Sequence, residues 1–265
     1  MKKYRQHSYC IFLFIACLSD LQKQAFCFAP PKQYYQLKIY QLKNKEQEIK
    51  VDQYLQNAFL PAIHRAGIQK AGVFKPLAND TAEIRQIFVF IPFNSIGEFL
   101  NLSRVLEKDE QYKTAGKDYF ESGFKDPPYL RIESILLEAF DDMPEFSQPQ
   151  LNSPAAQRIY ELRSYEGATE KIHENKVEMF NKGGEIPLFK RLGFNAVFYA
   201  EVVSGSHMPN LMYLTTFENM TAHDQHWKAF SEDPEWKALS ARPEYQNNVS
   251  KINIFLLHPT EYSDL

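Results

Sequence analysis

Hydrophobic and polar residues alternate through Tyr35-Gln36-Leu37-Lys38-Ile39-Tyr40. That period predicts a strand with Tyr35, Leu37 and Ile39 on one face and Gln36, Lys38 and Tyr40 on the other. The spacing then becomes helical over Val51, Leu55, Ala58, Phe59, Ala62, Ile63 and Ala66, and Gly67 stands where a helix C-terminus favours glycine. Two strands follow, over about 68–75 and 84–91. Ser95-Ile96-Gly97-Glu98 has the form of a capping box, opening a second helix with the stripe Ile96, Phe99, Leu102 and Leu106. A short helical turn and a strand at 132–137 close the unit.

The same pattern runs a second time. Tyr34 to Tyr40 is echoed by Ile159-Tyr160-Glu161-Leu162-Arg163-Ser164-Tyr165, and Phe59 to Gly67 by Glu185 to Gly193. Phe93 to Lys113 aligns without a gap to Phe217 to Lys237, and Ile132 to Leu137 matches Ile252 to Leu257. Four blocks in the same order read as an internal duplication. Strands of the second copy are expected at about 195–203 and 211–216.

Strand, helix, strand, strand, helix, strand is the ferredoxin-like plan. The expected fold is therefore α+β: two tandem ferredoxin-like modules, each an antiparallel sheet with helices on one face. The first module spans 33–140 and the second 158–262. Residues 141–157, with Pro144, Pro149 and Pro154, are the linker. Each sheet then has one uncovered face, which face-to-face pairing or closure into a barrel would bury.

Composition changes the picture only at the N-terminus. Lys2, Lys3 and Arg5 precede an apolar run from Tyr9 to Leu18, too short to span a bilayer. Residues 1–29 thus read as a signal peptide or lipoprotein signal with a short lead-in, Cys17 being the lipidation candidate. An exported protein of the periplasm, cell envelope or medium is expected, with no membrane span once the signal is removed. All three cysteines, Cys10, Cys17 and Cys27, fall in this segment, so the body offers no disulfide, thiol nucleophile or thiolate ligand. The formal net charge of −3 gives no footprint for nucleic acid.

Tyr160 to Tyr165, Leu192-Gly193-Phe194-Asn195, Met208 to Tyr213 and Asp233-Pro234-Glu235-Trp236 resemble NIPSNAP-domain signatures. The resemblance covers roughly residues 33 to 262 and is strongest in the second copy. It implies the dimeric α/β-barrel type of fold, the superfamily that includes cofactor-free monooxygenases, and an exported bacterial member with two tandem domains. It implies no reaction.

Candidate chemistry concentrates in the second copy. Alternation puts Glu161 and Arg163 on one strand face, opposite Tyr160 and Leu162. They are expected either to clamp a ligand carboxylate or to form a structural ion pair, in a pocket between sheet and sheet. Asn195, Asn210, Tyr213 and Trp227 are the further ligand-binding candidates. His207, in the loop Gly205-Ser206-His207, and Tyr199 are the catalytic candidates. His223 and His226 have a metal-compatible spacing, yet they align with Phe99 and Leu102 of the apolar stripe, so they read as core replacements. No metal or cofactor is predicted. The expectation is an accessory or binding barrel for a small apolar or carboxylate-bearing ligand, a homodimer, with its site mainly in the second copy. The alternative is a cofactor-independent monooxygenase- or isomerase-like enzyme. The first copy is expected to be the more structural.

Overall fold

The computed structural model of the protein describes residues 31–265. The expected export signal at 1–29, with Cys10, Cys17 and Cys27, lies outside the described residues. Eight strands follow in order: β1 (Tyr34–Leu42), β2 (Gly72–Pro76), β3 (Arg85–Phe93), β4 (Arg131–Ala139), β5 (Ile159–Glu166), β6 (Asn195–Ser204), β7 (Asn210–Phe217) and β8 (Lys251–Pro259). The helices α1 (Lys45–Tyr54) and α2 (Leu60–Arg65) are joined by a π-helical turn, Leu55–Phe59. Then come α3 (Ile96–Leu106), α4 (Glu110–Ala115), α5 (Lys117–Phe120), α6 (Glu170–Phe180), α7 (Glu185–Arg191), α8 (Met220–Glu232) and α9 (Pro234–Ser240). No helix among the described residues is long and apolar enough to cross a membrane.

The strands form one closed barrel in the order β1-β3-β2-β8-β5-β7-β6-β4, with every pairing antiparallel. This overturns the expectation of two tandem ferredoxin-like modules. Strand β4 pairs with β6, and β2 with β8, so sheet edges from distant parts of the chain complete each other. The physical reason is the edge: an unpaired strand exposes a row of N–H and C=O groups, and closure satisfies all of them at once. Closure takes place within one chain.

The alternating faces divide the core. Tyr35, Leu37 and Ile39 point inward and meet Phe88, Phe90, Leu137, Leu162, Phe198 and Leu257 in an apolar barrel interior. Phe90 and Phe198 stack there at 5.0 Å. The expected pocket between sheet and sheet is thus replaced by packed side chains. The outer faces are covered by helices: Tyr40, Val89 and Ile91 lie under α1 and α2, while Tyr199 and Tyr213 lie under α6 and α7.

Local signals act as their chemistry requires. Gly67 and Gly193 have φ of 101° and 79°, and each ends a helix. The following amides, Ile68 N and Phe194 N, donate to the carbonyls of Ile63 and Phe189 at 2.9 and 3.0 Å, closing the helix ends. Ser95 Oγ accepts from Glu98 N, and Asn219 Oδ1 accepts from Ala222 N, which caps α3 and α8. The proline-containing stretch 141–157 is bound to the barrel rather than free. Ser147 N donates to the Val197 carbonyl at 2.9 Å, and Phe146 packs against the interior cluster.

Candidate functional site

Strand β5 presents Glu161, Arg163 and Tyr165 outward, beneath α6 and α8. Glu161 is 1% exposed, and three donors converge on it. Arg163 Nε donates to Oε1 at 2.7 Å, His223 Nε2 lies 3.1 Å from Oε2, and Trp227 Nε1 donates to the same oxygen. Burial pushes this carboxyl up, but the His223, Arg163 and Trp227 interactions outweigh it and hold the group below the usual range. The Arg163 guanidinium stacks 3.6 Å from the Trp227 ring centre, a cation–π contact that lids the ion pair. Its Nη1 donates to the Tyr165 hydroxyl at 3.2 Å, and that hydroxyl bonds Tyr213 Oη at 2.8 Å. Tyr213 stands directly opposite Arg163 in the β5–β7 ladder, so the sheet register delivers it.

His223 is itself perturbed. Burial lowers its pKa, and its hydrogen bonds to Glu161 and to Asp224, the latter at 2.8 Å, reverse the sign and raise it. Beside this network Lys176 donates to Glu185 at 2.7 Å; both are buried. A cleft of about 390 Å³ opens here, with Arg163, Tyr165 and Lys176 on its floor and Trp236 and Asn248 on its walls. Each cation in it already has a carboxylate of the chain as partner.

The proposed site residues separate in space. Glu161, Arg163, Tyr213 and Trp227 come together in this network. Tyr199 lies beside it, its ring 5.6 Å from that of Tyr213, and burial pushes its phenol well up. Asn195 instead donates to the Gln150 carbonyl at 3.3 Å, holding the 141–157 stretch. Asn210 accepts from Ser164 Oγ at 3.0 Å, away from the network. His207 is on an outer loop, its side chain 60% exposed and 3.6 Å from Glu166. His226 Nδ1 lies 2.6 Å from the carbonyl of Ala222, within its own helix. No cluster of three or more metal-ligating side chains occurs among the described residues. Tyr165, Lys176 and Glu185 escaped the sequence reading because no spacing links a strand tyrosine to a helix lysine and glutamate.

A second cleft, of about 850 Å³, lies over the outward face of β1 beneath α3, α4 and α5. Gln36 and Lys38 line it at the strand positions aligned with Glu161 and Arg163. Phe99 and Ser103 line it at the helix positions aligned with His223 and Trp227. The rest of its wall is mainly aromatic and aliphatic: Tyr54, Phe59, Leu102, Leu106, Tyr112 and Phe120. The π turn ends on Phe59, which brings that ring to the wall. Tyr54 stacks on Tyr119 at 3.8 Å and bonds Tyr112 Oη at 2.7 Å, which fixes the cleft's side.

Residues 160–264 match the NIPSNAP family model. No curated protein is significantly similar in sequence to this chain. Among solved structures, a "putative monooxygenase" from Fusobacterium nucleatum aligns with a TM-score of 0.55 at 9% identity, covering 86% of this chain and 92% of that one. A protein from Lactobacillus acidophilus bearing the same description aligns at 0.54 and 10% identity, with coverage of 86% and 94%. A NIPSNAP family protein from Agrobacterium tumefaciens aligns at 0.36 and 20% identity, over 41% of this chain and 98% of that one. At these identities the first two matches carry the fold and no chemistry.

Proposed function

We propose that this NIPSNAP-like protein binds a small, largely apolar molecule in the cleft between the outer face of β1 and helices α3 to α5. The observation that carries this reading is the 850 Å³ cleft itself, open and aromatic-walled above Lys38. Its size falls in the range of small-molecule sites, roughly 300–1,000 Å³. The matching space over β5 is occupied by Trp227, whereas Ser103 here leaves it empty. The sequence pointed to the second copy for the site; the larger opening is over the first. A reaction draws no support from the acid–base candidates, because His207 is solvent-exposed and the Tyr199 phenol is held protonated by burial.

The test uses the neutral dye Nile red, whose emission rises in apolar surroundings. The full chain is expected to bind it saturably. Ser103→Trp, which places the indole of the other half in the cleft, is expected to weaken binding at least tenfold without lowering the melting temperature. Equal binding by both proteins would put the dye elsewhere and defeat the proposal.

A further inference from the structure

We infer that the ligand of the β1 cleft carries an anionic head, a carboxylate or a group of like charge, which Lys38 binds while the apolar body lies against Phe59, Phe99 and Leu106. This rests on the apolar-cleft reading above and adds the charge.

The case is one of missing neutralisation. Cations turned outward from the barrel are otherwise matched by carboxylates of the chain. Arg163 has Glu161 at 2.7 Å; Lys75 has Glu48 at 2.8 Å and Asp52 at 2.6 Å; Arg85 has Glu48 at 2.7 Å. Lys38 meets no carboxylate and no hydrogen-bond acceptor among the described residues. Its ammonium instead faces the rings of Phe59 and Tyr40, at 5.1 and 5.4 Å. Residue 36 explains the difference. Where β5 places Glu161 two residues before its cation, β1 places Gln36, whose amide is spent on Ser134 Oγ at 2.8 Å. A neutral side chain has taken the place of the carboxylate.

The rest of the lining is balanced: Lys113 and Lys117 stand against Glu107 and Glu121, which leaves Lys38 as the surplus cation of the lining. Lys117 and Glu121 lie 3.9 Å apart, and Lys113 is held by Glu110 at 2.5 Å. Glu107 is exposed. A half-buried ammonium beside aromatic walls is partly stripped of water, so an anion arriving there gains a charge-assisted hydrogen bond at lower desolvation cost. A neutral head of the same size gains a weaker bond from an uncharged acceptor, and a cationic head meets the repulsion of Lys38.

The experiment displaces Nile red from the full chain with three twelve-carbon probes: laurate, dodecan-1-ol and dodecyltrimethylammonium. Laurate is expected to bind roughly ten- to a hundredfold more tightly than the alcohol, the worth of one charge-assisted contact. The ammonium should be weakest. Lys38→Gln should abolish the preference for laurate while Nile red still binds, and Lys38→Arg should retain it. Gln36→Glu should also abolish it, by giving Lys38 the partner that Arg163 already has. Equal binding of laurate and alcohol to the unaltered chain overturns the anion while leaving the apolar cleft standing, and so does a preference that survives Lys38→Gln. Failure of the chain to hold Nile red at all overturns both readings.

Discussion

The outward faces of β1 and β5 belong to aligned stretches of the chain and end in opposite states. On β5, Glu161 neutralises Arg163, Trp227 covers the pair, and His223 satisfies the remaining carboxylate oxygen. On β1, Gln36, Lys38, Phe99 and Ser103 hold the aligned positions, and a cleft more than twice as large remains. These four exchanges, with Phe59 for Glu185, Leu106 for Phe230 and Tyr112 for Trp236 in the surrounding walls, accompany the change from an ion-pair network to an open cationic cleft. The lesson is that polarity alone does not mark a binding site. The more polar face is the more complete one, because each of its charges already has a partner inside the chain.

The largest effect is expected from Glu161→Gln, which strands Arg163 beneath the helices and should cost about 4 kcal/mol in denaturant unfolding. Its mirror change Gln36→Glu should alter stability by less than about 1 kcal/mol, since the β1 cleft is open to water. Similar losses from both would show that the two faces are equally buried and end the contrast. Next, Trp227→Ser should convert the β5 face towards the β1 state, costing about 3 kcal/mol from lost burial and stacking. The same variant should give the full chain a second Nile red site. Unchanged stoichiometry would mean that the indole is not what closes that cleft.

The smallest effect is a pH dependence. The folded-state pKa of His223 is raised, so the protonated ring stabilises the fold. That contribution is complete below the unfolded value of about 6.5 and is lost as pH rises through the folded one. His223→Phe, borrowing the residue at position 99, should therefore flatten the melting temperature over the window above pH 6.5, by on the order of 2 °C relative to the unaltered chain. An unaltered chain that gains stability over that window faster than the variant would contradict the sign.

Much of this is legible in the sequence. The alternation at 35–40 and 160–165 gives the correct faces, the glycines at 67 and 193 end helices, and Ser95 and Asn219 cap them. The spacing of Glu161 and Arg163 places them on one strand face, since residues two apart on a strand share a face, but leaves a ligand clamp and an ion pair both open. The partners in the network were harder. His223 lies 62 positions from Glu161, and only the packing of α8 over β5 brings the ring to the carboxylate. Asn195 and Asn210 look like site residues in the sequence, yet one holds the 141–157 stretch and the other bonds Ser164. Their amides satisfy either role equally well, and the sequence has no means to choose.

By itself the sequence determined periodicity, turns and caps, because these depend on neighbours within a few residues. It also held the Gln36-for-Glu161 and Ser103-for-Trp227 exchanges, visible in the alignment of the halves. Tertiary structure alone decided that the eight strands close into one barrel, that its interior is filled by apolar side chains, and that the clefts lie outside it under the helices. Which edge completes which, and whether a cation finds its counter-charge, are settled by contacts between residues far apart in the chain. Local pattern fixes which face a side chain takes, and only long-range packing fixes what stands opposite it.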